Sequence, residues 1–101
     1  MPTRPTGTIA VNESDLNYND TATFAITANQ WPVYALFHAY QNDKVVAVGY
    51  SNFMYANGST GPMGMNSPIW QGGAAHCTVD LVLVERNKRR ILASSSFEVA
   101  A

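Results

Sequence analysis

Trp70-Gln-Gly-Gly-Ala-Ala-His-Cys-Thr-Val-Asp-Leu-Val-Leu-Val-Glu85, followed by Arg86-Asn-Lys-Arg-Arg90 and then Ile91-Leu-Ala-Ser-Ser-Ser-Phe-Glu-Val-Ala-Ala101, is the stretch that decides the fold. A glycine pair opens a run in which Cys77, Val79, Leu81 and Leu83 alternate with Thr78, Asp80 and Val82. Successive strand residues point to opposite faces of a sheet, so a period of two marks a strand with a buried face. The charged segment from Arg86 to Arg90 is expected to be a turn. Beyond it, Ile91, Ala93, Phe97 and Val99 line one face of a returning strand. The predicted unit is a C-terminal hairpin of Ala75–Glu85 and Arg90–Val99, and the predicted fold class is all-β.

The rest of the chain agrees. Thr8–Val11 is a short first strand, and the Asn- and Asp-rich segment Asn12–Asp20 is a turn region. In Thr21–Ala28 the apolar Ala22, Phe24, Ile26 and Ala28 alternate with Thr21, Thr23 and Thr27, as in a half-buried antiparallel strand. Asn29-Gln-Trp-Pro32 ends it, because proline cannot donate to the ladder. Val33–Tyr40 follows, with Val33, Ala35, Phe37 and Ala39 on one face and Tyr34, Leu36, His38 and Tyr40 on the other. Bulk on both faces implies a central strand or a face covered by a partner. Gln41-Asn42-Asp43-Lys44 is a hairpin turn, and Val45–Phe53 returns from it. Tyr55–Pro68 reads as a loop with Met63 and Met65 between its glycines and prolines, and Ile69-Trp70 re-enters the sheet. About seven short strands at turn spacings of roughly 8–12 residues predict one antiparallel β-sandwich domain over 7–101, after a proline-bearing extended arm at 1–6. Its predicted core comprises Phe24, Ile26, Phe37, Trp70, Cys77, Val79, Leu81 and Phe97.

The 101 residues suffice for a single core. Charged residues are only 13% and the net charge is −1, so the surface is built largely from neutral groups and no overall field attracts nucleic acid or anionic membrane. A lone cysteine, Cys77, cannot form an intramolecular disulfide. Met1-Pro2-Thr3-Arg4-Pro5 has no apolar h-region, so no secretory signal is expected; nor does any apolar run approach the ~20 residues of a membrane helix.

Few residues suggest chemistry. His76 and Cys77 are strand neighbours facing opposite sides, and no third zinc ligand stands at a metal-site spacing. His76 and Asp80 share a face but stand about 13 Å apart along the strand, too far to share a proton. No nucleophile-elbow, P-loop, zincin or EF-hand pattern is present, so neither an enzyme nor a cofactor is expected. An enzyme would need a pocket joining His38 or His76 to an acid across strands. Arg86, Lys88, Arg89 and Arg90 form a basic cluster that suits a protein contact or a solvated turn better than nucleic acid, since no aromatics interleave it. Trp31, Tyr34, Tyr55 and Trp70 admit a sugar-stacking platform, although such residues also build cores and interfaces, and Trp70 is placed between the sheets. The uncharged Met54–Met65 loop is the better interface candidate. The expected partner-binding residues are Arg4, Met63, Met65, Arg86, Lys88, Arg89 and Arg90.

Gly72-Gly-Ala-Ala-His-Cys-Thr-Val-Asp-Leu, preceded by Trp70 and followed by Ile91-Leu-Ala-Ser-Ser-Ser-Phe-Glu-Val, resembles small immunoglobulin-like virion proteins of tailed phages infecting actinobacteria. The likeness runs from about Thr6 to Ala101. Family members often pair the long-strand cysteine with one in the third strand; here His38, Ala39 and Tyr40 stand there, implying a reduced core. The resemblance implies an immunoglobulin-like sandwich serving as a structural protein, foremost a head decoration protein and alternatively a minor tail protein. The implied partners are the major capsid protein or tail proteins, copies of itself, and a weak host-surface glycan contact. The implied location is the virion surface, after assembly in the host cytoplasm.

Overall fold

The computed structural model describes residues 4–101 and contains nine strands. These are β1 (Gly7–Val11), β2 (Thr21–Ala22), β3 (Phe24–Ala28), β4 (Val33–Gln41), β5 (Lys44–Tyr50), β6 (Gly58–Ser59), β7 (Met63–Gly64), β8 (Ala75–Glu85) and β9 (Lys88–Val99). One sheet has the order β5-β4-β8-β9 and the facing one β1-β3-β6, with β2 and β7 forming a small annex. All strand pairings are antiparallel. The fold is an all-β antiparallel sandwich. Three of the nine strands are only two residues long; the six longer ones are the expected strands other than the one predicted at Ile69-Trp70.

The alternation in β4 is what joins the sheets. Val33, Ala35, Phe37 and Ala39 are each at most 2% exposed and, beside Val79 and Leu81 of the same sheet, pack in one core with Phe24, Ile26 and Trp70. Phe37 and Phe97 stack with centroids 6.1 Å apart, and Phe24 lies 5.7 Å from Phe97. The predicted core residues all lie in or against this cluster, Phe97 half-buried at its rim. Ala39 lies opposite Cys77 in the register, and Cys77 is fully buried.

Gly7 leaves no room for a side chain. A Cβ there would stand 2.5 Å from Leu81 Cδ2 and 2.7 Å from the Thr27 carbonyl. The hairpin after β4 turns on Asn42 and Asp43 at φ 52° and 64°, the left-handed values that Asn and Asp tolerate.

Several expectations need correction. The β8–β9 turn is only Arg86-Asn87, with Asn87 at φ 67°; Lys88, Arg89 and Arg90 already belong to β9. A bulge inserts Leu92, since Leu81 pairs with Ala93 and Val82 with Ile91. One extra residue reverses the facing of everything before it. Ile91 is therefore 59% exposed, and Leu92 takes its place against the core. Thr21–Ala28 is broken at Thr23, whose amide donates to Glu13 Oε1 instead of a ladder. Trp70 enters no strand but is fully buried, its indole donating to the Gly73 carbonyl. Of the expected arm, Met1–Thr3 lie outside the described residues. Arg4–Thr6 are tied to their own domain: Asn29 donates to the Arg4 carbonyl and accepts from the Thr6 amide.

Candidate interaction surface

The outward face of the four-stranded sheet is built by the other half of the β4 alternation. Across the register, Tyr50, Leu36, Asp80 and Ser94 form one row; Val48, His38, Thr78 and Ser96 form the next. Tyr34 lies beside Val82, which is in turn beside Ile91. The Tyr34 ring is stacked with Phe53 at 5.7 Å, meets Tyr50 edge-on at 6.4 Å, and carries the Arg89 guanidinium 5.9 Å from its centroid. An apolar, aromatic cluster thus lies on the surface of the sheet.

This cluster continues onto the β5 edge and the segment after it. Among the described residues, the large exposed hydrophobic ones are Val45, Val48, Tyr50, Phe53, Tyr55, Ile69 and Ile91. Six of these seven fall between residues 45 and 69, inside the charge-free window between Lys44 and Asp80. A bulge in β5 contributes: Ala39 pairs with Ala47 and Tyr40 with Val45, leaving Val46 as the extra residue. Val46 and Ala47 both turn inward, and Val48 and Tyr50 then face out. Ser67 braces the edge by donating to the Val46 carbonyl and accepting from the Trp70 amide. Between the edge and Ser67–Ile69 lies a shallow groove lined by Val45, Val48, Pro68 and Ile69.

The expected contact residues fare differently. Met65 is fully buried, its amide donating to the Asp20 carbonyl, so it is a core residue and not a contact residue. Met63 is half-buried, packed on the core with its methyl 3.3 Å from the Cβ position of Gly49. The methionines of this loop face inward because they cap the sandwich, and the aromatics around them face out. Arg4 is exposed. The basic cluster is divided by strand alternation: Arg89 lies over Tyr34, and Arg90 pairs with Glu85 at 2.8 Å. Arg86 and Lys88 remain exposed at the tip. Trp31 is half-buried and packs against the core, whereas Tyr55 is 69% exposed.

At the other end of the sheet, His76 and Glu98 are register partners and their side chains meet at 2.6 Å. They border an open cleft of about 750 Å³ with Asp15, Tyr40, Gln41 and Asn42. This is a histidine–acid pair joined across strands, visible only once the register is known. Both side chains are more than half exposed, and a pair in such contact with water is weakly held. No group of three His, Cys, Asp or Glu residues that could hold a metal ion occurs among the described residues.

Two titrations are shifted. Burial, with a smaller contribution from the Glu98 charge, pushes the Cys77 thiol up to about 12, so it stays protonated and unreactive. Hydrogen bonds from Thr23, first from its amide, hold Glu13 below the usual carboxylate range. Neither group is an acid or base suited to chemistry near neutral pH.

Among known proteins, no family model, no curated protein and no solved structure matches this chain.

Proposed function

We propose that this chain is a non-enzymatic structural protein of a phage virion, foremost a capsid decoration protein seated on the head lattice. Its contact surface is the side formed by Tyr50, Phe53, Tyr55, Ile69 and the β5 edge. The observation that carries the contact reading is the concentration of exposed apolar side chains in a charge-free window. Interface centres are depleted of charge and enriched in aromatics, and a contiguous apolar patch on a small domain marks a binding site. The placement in a virion rests on the likeness of Trp70–Leu81 and Ile91–Val99 to immunoglobulin-like virion proteins. The strand order β5-β4-β8-β9 against β1-β3-β6 is compatible with it, being the order of C′, C, F, G against A, B, E in immunoglobulin sandwiches.

In this role the major capsid protein is the partner, and many copies on a lattice hold firmly even when each contact is weak. A minor tail protein would use the same surface against tail subunits. Glycan contact is a second reading, favoured by Tyr55, which is exposed and could stack on a sugar ring. The test is the copy number of this protein in purified particles, by quantitative mass spectrometry against the major capsid protein. A decoration protein gives parity or a simple fraction. A handful of copies moves the protein to the tail, and absence from particles overturns the virion reading.

A further inference from the structure

The two ends of this molecule carry opposite charge. The domain is 48 Å long against 24 and 18 Å across, and β9, twelve residues at ~3.3 Å each, runs most of that length. One end holds the β8–β9 turn, the loop from Asn29 to Pro32 and the N-terminal segment: the Val84 amide donates to the Pro32 carbonyl, and Asn29 holds Arg4. Five of the six basic residues gather there, namely Arg4, Arg86, Lys88, Arg89 and Arg90, with Glu85 the only acid. At the opposite end the β4–β5 turn, the start of β8, the end of β9 and the Asn12–Asp20 loop converge, tied by the Tyr18 amide to the Ala100 carbonyl. Asp15, Asp20, Asp43 and Glu98 stand there against Lys44.

The shapes match as well as the charges. The basic end finishes in a narrow two-residue turn whose Arg86 and Lys88 are exposed. The acidic end holds the open cleft of about 750 Å³, bordered by Asp15 and Glu98 with Tyr40, Asn42 and His76. We propose that a second copy of this chain docks head to tail, the Arg86–Lys88 turn of one molecule entering the Asp15–Glu98 cleft of the next. Such a contact uses different surfaces on its two sides, so it propagates into rows or closed rings and does not stop at a dimer. Like-charged ends repel, which excludes tip-to-tip and cleft-to-cleft pairing. The inference goes beyond placement on a virion and needs no particle to be tested.

Sedimentation velocity of the purified protein at about 0.02 M and about 0.5 M salt supplies the first reading, since the screening length falls from above ~10 Å to below it over that range. Species larger than the monomer are expected at low salt and only monomer at high salt. Arg86→Glu/Lys88→Glu makes the turn itself acidic and cancels the net charge of its end, and Asp15→Lys/Glu98→Lys leaves the cleft basic. Each variant alone should stay monomeric at low salt, and an equimolar mixture should regain larger species, because the unaltered turn of the cleft variant fits the unaltered cleft of the turn variant and the reversed turn fits the reversed cleft. Zero-length carbodiimide coupling of the unaltered protein should join Lys88 to Asp15 or Glu98 of another molecule, a readout independent of how the variants fold. A wild-type protein that is monomeric at low salt overturns the proposal. So does association that survives both reversals, or coupling that never involves Lys88.

Discussion

Along β4, Val33, Ala35, Phe37 and Ala39 are each at most 2% exposed, whereas the interleaved Tyr34, Leu36, His38 and Tyr40 are only half-buried. The two faces of one strand therefore differ in what they ask of the environment. The inner face is filled from within the chain by Phe24, Trp70 and Phe97. The outer face collects Tyr50, Phe53 and Arg89 around Tyr34, and leaves the edges of those rings to solvent. A domain that needed only to fold would carry Thr, Ser and Lys there, as the outer positions of β9 do with Ser94, Ser96 and Glu98. The inner face accounts for stability, and the outer face is the proposed contact surface. Substitutions can separate the two.

The largest loss of stability should come from the inner face. Trp70→Ala removes the largest fully buried side chain together with its indole hydrogen bond to Gly73, and is expected to cost about 3–5 kcal/mol in denaturant unfolding. A cost below that of an ordinary surface change would mean that Trp70 does not join the sheets. Next is Gly7→Ala. The new methyl would meet the Thr27 carbonyl, which cannot turn aside as a side chain can, and the expected cost is about 1–3 kcal/mol.

Cys77 gives a smaller and pH-dependent effect. Below the ordinary thiol value of 9.0 both native and unfolded states hold the proton, so the shift has no consequence. From 9.0 towards about 12 the unfolded thiol ionises and the native one does not, so stability should fall as pH rises through that window. Cys77→Ala should flatten that part of the slope, and an unchanged slope would assign it to other groups. At neutral pH an alkylating reagent should modify Cys77 only as fast as the protein unfolds.

How much of this was legible in the sequence depends on whether period two was kept. In β4, and in β8 as far as Leu81, the alternation is unbroken, and both strands and those buried residues follow from it directly; Val82 is buried out of turn beneath its neighbours on the outer face. The Asn42-Asp43 turn was legible because positive φ selects those residues. The bulges at Val46 and Leu92 were not, because a single inserted residue leaves the composition of a strand unchanged while reversing its facing. That is why Ile91 was expected inside and is found outside. Met65 failed for a related reason: an uncharged loop resembles an exposed contact segment, yet this one folds back so that its methionines cap the core. The charge-free window from 45 to 79 was legible and does hold the exposed aromatics, though Tyr50 and Phe53, not the methionines, carry the surface. The pairing of His76 with Glu98, and the opposition of the two charged ends, depend on register and on which loops converge. Neither is a property of local sequence.

The smallest effect on stability and the largest on contact should coincide in Tyr50→Ser/Tyr55→Ser. Both side chains are 69% exposed, and only Tyr50 touches another ring, so the unfolding free energy should change by no more than about 1 kcal/mol. The decisive measurement is reattachment of this variant, beside the unaltered protein, to particles from which the protein has been removed, with bound copies counted by mass spectrometry. A folded variant that no longer binds is the result expected if the outer face is the contact surface. A folded variant that binds as well as the unaltered protein would contradict it.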